Sequence, residues 1–312
     1  MQLDNVLGNE QTKAALKAAL AAGKLPHAIL LTAPAGCGRG FVARLLAADY
    51  LYPHGGPAAQ AVVNNQSPEL LTVQGEGKSG QIPVDSIRAV RQEIFHSSFS
   101  AGGRVVWIQD AHKMAAPAAN ALLKVLEEPP AGALFILTTG DAASMPQTIV
   151  SRCVIYPLAP APLAACQQTL QAALPPEYEP HLPHLLSVLY GGRIGLGLRV
   201  LQNQARYATL QSALEAAKAA GERDRYTMLR VFCGYEGRAD GDRDRREDLL
   251  ADMTDIFESS LRGGAAPGLP ALAPAVAAKL LPPVLQARLA LRGNAAPKIT
   301  FAALTARLAN SC

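Results

Sequence analysis

Cysteine is sparse and unpaired in this sequence: five in 312 residues, at Cys37, Cys153, Cys166, Cys233 and Cys312, with no C-x-x-C pair among them. That spacing argues against a disulfide framework and a zinc site, and leaves the thiols as buried or incidental groups. Aromatic residues make up only 5%, and the Lys and Arg that give a net charge of +4 are dispersed, not gathered into a short basic run. Nucleic-acid binding is therefore permitted and not indicated. No uninterrupted apolar stretch reaches 18 residues, and Met1 to Glu10 has no basic segment leading into an apolar one. No membrane span or export signal is expected, and the cytoplasm is the default location. The six histidines are scattered, and His27 and His112 stand where core or surface roles account for them.

What is present is apolar mass: 49% of the residues are hydrophobic, enough for about two domains at the usual ~150 residues each. Short strand-like runs alternate with helical spacing. A helix over Gln11–Ala22 is followed by a strand at His27–Thr32, a helix at Arg39–Leu51 and a strand at Glu69–Val73. A helix then starts at Pro83 and runs to about His96, before a strand at Arg104–Gln109 and a helix at Pro117–Leu126 stopped by Pro129-Pro130. Leu134–Thr139 and Cys153–Tyr156 complete five strands, and helices between them imply a parallel sheet.

Beyond residue 158 the strand-like runs cease and alanine- and leucine-rich helical spacing takes over. The expected domains are 1–158, 159–202 and 203–312. Pro267, Pro270, Pro274 and Pro282-Pro283 predict short helices near the C-terminus. The mixed-charge run Arg238–Asp248 reads as a solvated face or a helix start.

The run Ala33-Pro34-Ala35-Gly36-Cys37-Gly38-Arg39-Gly40 lies between a strand and a helix, the place of a phosphate-binding P-loop. A working G-x-x-x-x-G-K-[ST] loop wraps phosphates with backbone N–H groups, reaches the outer ones with Lys and gives Mg²⁺ a hydroxyl ligand. Here Gly36 and Gly38 remain, Ala33 replaces the first Gly, Arg39 the Lys and Gly40 the hydroxyl residue. The strand that should end in an acidic pair ends Gln109-Asp110, so the metal-side carboxylate has become a neutral amide. Magnesium-dependent turnover is not expected, although Arg39 retains the ability to meet a phosphate.

Asp110-Ala111-His112-Lys113-Met114, followed by Ala118-Ala119-Asn120-Ala121-Leu122-Leu123-Lys124-Val125-Leu126-Glu127-Glu128-Pro129-Pro130, closely resembles the signature of clamp-loader AAA+ proteins. Phe135-Ile136-Leu137-Thr138-Thr139 resembles that family's sensor-1 strand, which gives Thr138 and Thr139 a sensor-1-like place, and Ser151-Arg152-Cys153 matches its Ser-Arg-Cys motif. A degenerate loop beside an intact Ser-Arg-Cys is similar to the delta-prime branch of the bacterial DNA polymerase III clamp loader. The resemblance is strong to about residue 158, moderate to 202 and architectural thereafter.

That resemblance implies an α/β AAA+ fold: a parallel five-stranded sheet with helices on both faces, then a small helical lid and an all-α collar. It implies a stator without turnover of its own, working in a heteropentamer with ATPase subunits and a clamp-opening subunit. It also implies contact with the sliding clamp and primer-template DNA through that complex. Arg152 is the implied trans finger on a neighbour's ATP, Ser151 orients its turn, and Cys153 packs without a redox role. Many relatives insert a four-cysteine zinc module after the P-loop helix, whereas Leu51–Leu70 has no cysteine, so no zinc is expected. The motif Gly192-Arg193-Ile194-Gly195-Leu196-Gly197 lacks the usual sensor-2 Arg, for which Arg193 is a partial substitute.

Other readings stay open on the residues alone. Arg152 also suits a helix cap or a surface ion pair. The whole chain also suits a motor with a substituted site, Arg39 standing for Lys and Asp110 for the acid, or a DNA-binding AAA+ paralogue.

Overall fold

The computed structural model describes residues 1–77, 80–94, 103–237 and 241–311. They fall into two compact units, Met1–Ala161 and Pro162–Cys312. The first unit contains α1 (Glu10–Ala21), β1 (Ala28–Thr32), α2 (Arg39–Leu51), α3 (Pro57–Val63), β2 (Leu70–Val73), α4 (Val84–Ile94), β3 (Arg104–Ile108), α5 (Ala116–Glu127), β4 (Ala133–Thr139), α6 (Gln147–Val150) and β5 (Val154–Pro157). The strands form one sheet in the order β2-β3-β4-β1-β5, and every pairing is parallel.

Nearly continuous apolar strands are what a sheet covered on both faces requires. Because side chains alternate along a strand, Ile29, Leu31, Val105, Trp107, Leu134 and Ile136 pack on one face with Leu16, Val42, Leu45, Leu46 and Val62 from α1, α2 and α3. Leu30, Val106, Ile108, Phe135 and Leu137 pack on the other with Ile87, Leu122, Val125 and Ile149 from α4, α5 and α6. The fold is the expected α/β sheet with helices on both faces.

Differences in detail have local causes. Helix α3 fills the stretch between Leu51 and Leu70, with Pro57 at its first position, where proline's fixed φ and missing N–H are harmless. The helix after Pro83 is described as far as Ile94, and its expected end at His96 lies outside the described residues. β5 is an edge strand that leaves Val154 and Ile155 exposed, and it extends to Pro157, which an edge tolerates.

The second unit is helical: α7 (Leu163–Ala172), α8 (Leu182–Leu189), α9 (Ile194–Leu201), α10 (Gln204–Glu222), α11 (Arg225–Cys233), α12 (Asp242–Leu261), α13 (Pro274–Arg292) and α14 (Pro297–Asn310). One core runs from Cys166 through Tyr190, Leu210, Phe232 and Ile256 to Leu308. The position expected for a boundary, residue 203, is the N-cap of α10, where Asn203 accepts the Arg206 N–H at 3.0 Å.

Pro282 and Pro283 do not break the chain into short helices, contrary to expectation: both lie inside α13, which runs unbroken for 19 residues. Ala277, Leu280, Val284 and Ala287 repeat at helical spacing and are buried in the core, holding the helix together. The carbonyls that lose their partners, at Ala278 and Lys279, belong to exposed residues that water can reach.

The mixed-charge run is also more than a solvated face. Residues 238–240 lie outside the described residues, and the rest opens α12 with Asp242 and Asp244 at its first turn. Farther along, Glu247 accepts from Arg288 at 2.7 Å and from Arg292, tying α12 to α13. No described helix is long and apolar enough to cross a membrane.

Candidate functional site

β1 ends at Thr32 and the chain turns into α2 through a loop in which Gly36 and Gly38 take φ of 87° and 79°, values that disfavour side chains. The chain thus makes a glycine turn between a strand and a helix, the place a phosphate loop would occupy. Its side chains are otherwise engaged. Arg39 is largely buried and turned toward the end of β3, with Nη2 3.2 Å from Asp110 Oδ1. Its Nη1 is buried without a hydrogen-bond partner. Lys113 Nζ reaches the other oxygen, Oδ2, also at 3.2 Å.

Asp110 has left-handed backbone angles, φ 46° and ψ 52°, and its N–H donates to Thr138 Oγ1 at 3.2 Å. Thr138 and Thr139 are buried. The Thr139 hydroxyl lies 3.2 Å from His112 Nδ1 and donates to Asp141 O at 3.1 Å. These threonines tie β4 to the end of β3 and to the next turn. Gln109 contributes an amide and Gly40 no side chain. The set does not fit a magnesium nucleotide: the hydroxyl and one acid are missing, and the remaining carboxylate is already flanked by two cations. Among the described residues no three His, Cys, Asp or Glu side chains are grouped to hold a metal ion.

The Ser-Arg-Cys run lies elsewhere. Ser151 follows the last residue of α6 and donates from Oγ to Thr148 O at 3.1 Å. Arg152 donates from Nη1 to the same carbonyl at 2.8 Å, and its Nη2 lies 2.5 Å from Glu127 Oε1 at the end of α5. The guanidinium therefore does both bland jobs foreseen for it, capping α6 and pairing at the surface, while the side chain stays 35% exposed. Cys153 packs against the core under α4, α5 and α6, and burial pushes its thiol up to about 11.

Strand register fixes how far these groups are from the loop. Ile29 is opposite Val154 and Thr32 opposite Pro157. Arg152 precedes the N-terminal end of β5, whereas the loop follows the C-terminal end of β1. At about 3.3 Å per residue the two are separated by roughly 16 Å of sheet. The structure thus brings together Arg39, Asp110 and the Thr138–Thr139 pair at one end of the strands, and places Arg152 at the other end.

Sequence reasoning missed two partners, Lys113 and Glu127. Both belong to the quoted signature, but the Arg152–Glu127 contact spans 25 positions and has no local spacing to announce it. Arg193, expected as a partial substitute for the sensor-2 arginine, is engaged within the second unit: Nη2 lies 2.5 Å from Asp255 Oδ1 and Nε donates to Tyr190 O at 2.8 Å.

The family model described as "DNA polymerase III, delta subunit" matches residues 8–162. Over that span the chain belongs to the clamp-loader AAA+ family. The delta' subunit of DNA polymerase III from Escherichia coli K12 is 34% identical over 155 residues, 47% of this chain and 46% of that protein. The gamma subunit from Buchnera aphidicola is 31% identical over 160 residues, 49% of this chain and 44% of that protein. The gamma/tau subunit of Mycobacterium tuberculosis H37Rv is 34% identical over 160 residues but only 28% of that protein is covered. The chain thus spans less than half the length of these curated relatives. In three dimensions, a gamma subunit-related protein from Thermotoga maritima aligns with 95% of this chain and 99% of its own at a TM-score of 0.54 and 17% identity. The shared fold of this clamp-loader AAA+ protein therefore extends into the helical unit.

Proposed function

We propose that this clamp-loader AAA+ protein is a non-catalytic stator of the delta-prime type. It lends Arg152 to the ATP of a neighbouring subunit while the sliding clamp is loaded onto primed DNA during replication. The observation that supports this most is the position of Arg152 at the other end of the strands from its own loop, too far to reach a nucleotide bound there. An arginine supplied in trans stabilises the charge that develops in phosphoryl transfer, worth on the order of 10³ to 10⁵ in rate. The bonds that hold it at rest are exchangeable, since an exposed ion pair contributes about 0–1 kcal/mol.

The paired Arg39 and Asp110 support the silent half of the reading. Motor ATPase subunits and a clamp-opening subunit would complete a heteropentamer, with residues 203–312 as the collar that packs the ring and 159–202 as the lid. The test mixes this chain with candidate motor and clamp-opening subunits and measures complex composition and ATPase. Assembly into a stoichiometric ring with stimulated hydrolysis is the expected result. The comparable similarity to gamma and tau subunits keeps a motor with a substituted site as the second reading; tight Mg-ATP binding with turnover by this chain alone would select it.

A further inference from the structure

The loop is closed by a residue that lies outside it. Gly40 is the second residue of α2, and its φ is not among the positive ones, so its backbone suits any residue and glycine is a poor choice for a helix. The reason for glycine lies across the sheet face. A Cβ at position 40 would come 2.8 Å from Cζ2 and 3.1 Å from Cη2 of Trp107 on β3, closer than side-chain carbons pack. Trp107 is 7% exposed, and its Nε1 is buried without a hydrogen-bond partner. The indole thus contributes volume and no polar contact.

We infer that Trp107 is the wedge that bars a hydroxyl-bearing side chain from position 40, and with it one of the contacts a magnesium nucleotide needs in this loop. Gly40 and Trp107 are then one coupled feature, and restoring Ser or Thr alone does not reopen the site. The inference bears on the silent-loop half of the proposed function and makes no use of Arg152. It is tested on the free chain, so its failure is distinguishable from failure of the stator assignment in an assembled ring.

The experiment is a double-mutant cycle with G40S and W107F, repeated with W107V. Contact partners couple, whereas independent sites add. G40S is expected to lower Tm by about 5 °C or more with the indole present and by about 2 °C or less in either trimmed background. Because Trp107 is the single tryptophan in the sequence, its emission also reads the contact: G40S shifts it to longer wavelength as the ring is displaced toward water. Equal Tm losses in all backgrounds overturn the coupling. With a fluorescent ATP analogue and Mg²⁺ as probe, R39K/G40S/W107F is expected to bind about 10-fold tighter than R39K/G40S, a gap of about 1.4 kcal/mol. Equal affinities of the two overturn the wedge.

Discussion

Arg39 Nη2 lies 3.2 Å from Asp110 Oδ1, so the arginine that opens α2 partly neutralises the carboxylate just past the end of β3. Arg39 and Lys113 between them engage both oxygens of Asp110, so the carboxylate is not free to hold a cation. The free chain is expected to show no sustained phosphate release from Mg-ATP. Release that disappears in D110N would assign Asp110 a catalytic role and contradict the silent loop.

The same pair has a modest structural weight. Arg39 is mostly buried while Asp110 is about a third exposed, so solvent screens part of the interaction. D110N is expected to destabilise the chain by about 1 kcal/mol in urea unfolding, chiefly by leaving the buried guanidinium short of a counter-charge.

The Arg152–Glu127 pair is more exposed on both sides. E127Q should therefore change stability by less than about 0.5 kcal/mol and leave ring assembly intact. A large loss of folded protein would instead give Arg152 a structural role.

Burial reverses the scale in the helical unit. Arg206 holds Asp252 with two bonds of 2.6 Å, and Tyr190 OH donates to the same carboxylate at 2.9 Å. The Asp252 side chain is 1% exposed. Removing one partner leaves a charge uncompensated in the core, so D252A and R206A are each expected to cost about 3–5 kcal/mol in chemical denaturation.

Thiol chemistry gives a prediction in pH. Burial pushes the Cys153 and Cys166 thiols up to about 11, leaving roughly one molecule in a thousand as thiolate at pH 8. Cys233 is exposed. Iodoacetamide at pH 8 should label Cys233 and spare Cys153 and Cys166 in the folded chain, with their reactivity rising only as pH approaches 11. Equal labelling of Cys153 and Cys233 at pH 8 would contradict its buried packing.

The parallel sheet was readable from strands such as Ala28–Thr32 and Ala133–Thr139, because burial on both faces demands continuous apolar runs. Helix α13 was misread because proline is a local signal, while the packing of Leu280 and Val284 that overrides it is tertiary. At the loop, that Gly40 offers no hydroxyl and Gln109 no carboxylate is given by residue type alone. The Arg39–Asp110 pair, the Glu127 partner of Arg152 and the indole against Gly40 were not legible, since each joins elements distant in sequence through side-chain direction and volume.

The most direct test of the trans role replaces Arg152 by Ala in a loader reconstituted from this chain, its motor subunits and the clamp-opening subunit, with DNA- and clamp-stimulated ATPase as the readout. The account predicts an intact ring whose stimulated ATPase falls at least about 10-fold, as the loss of a finger worth several powers of ten at one of several motor sites would produce in a coordinated ring. Stimulated ATPase equal to that of the unsubstituted loader would contradict it.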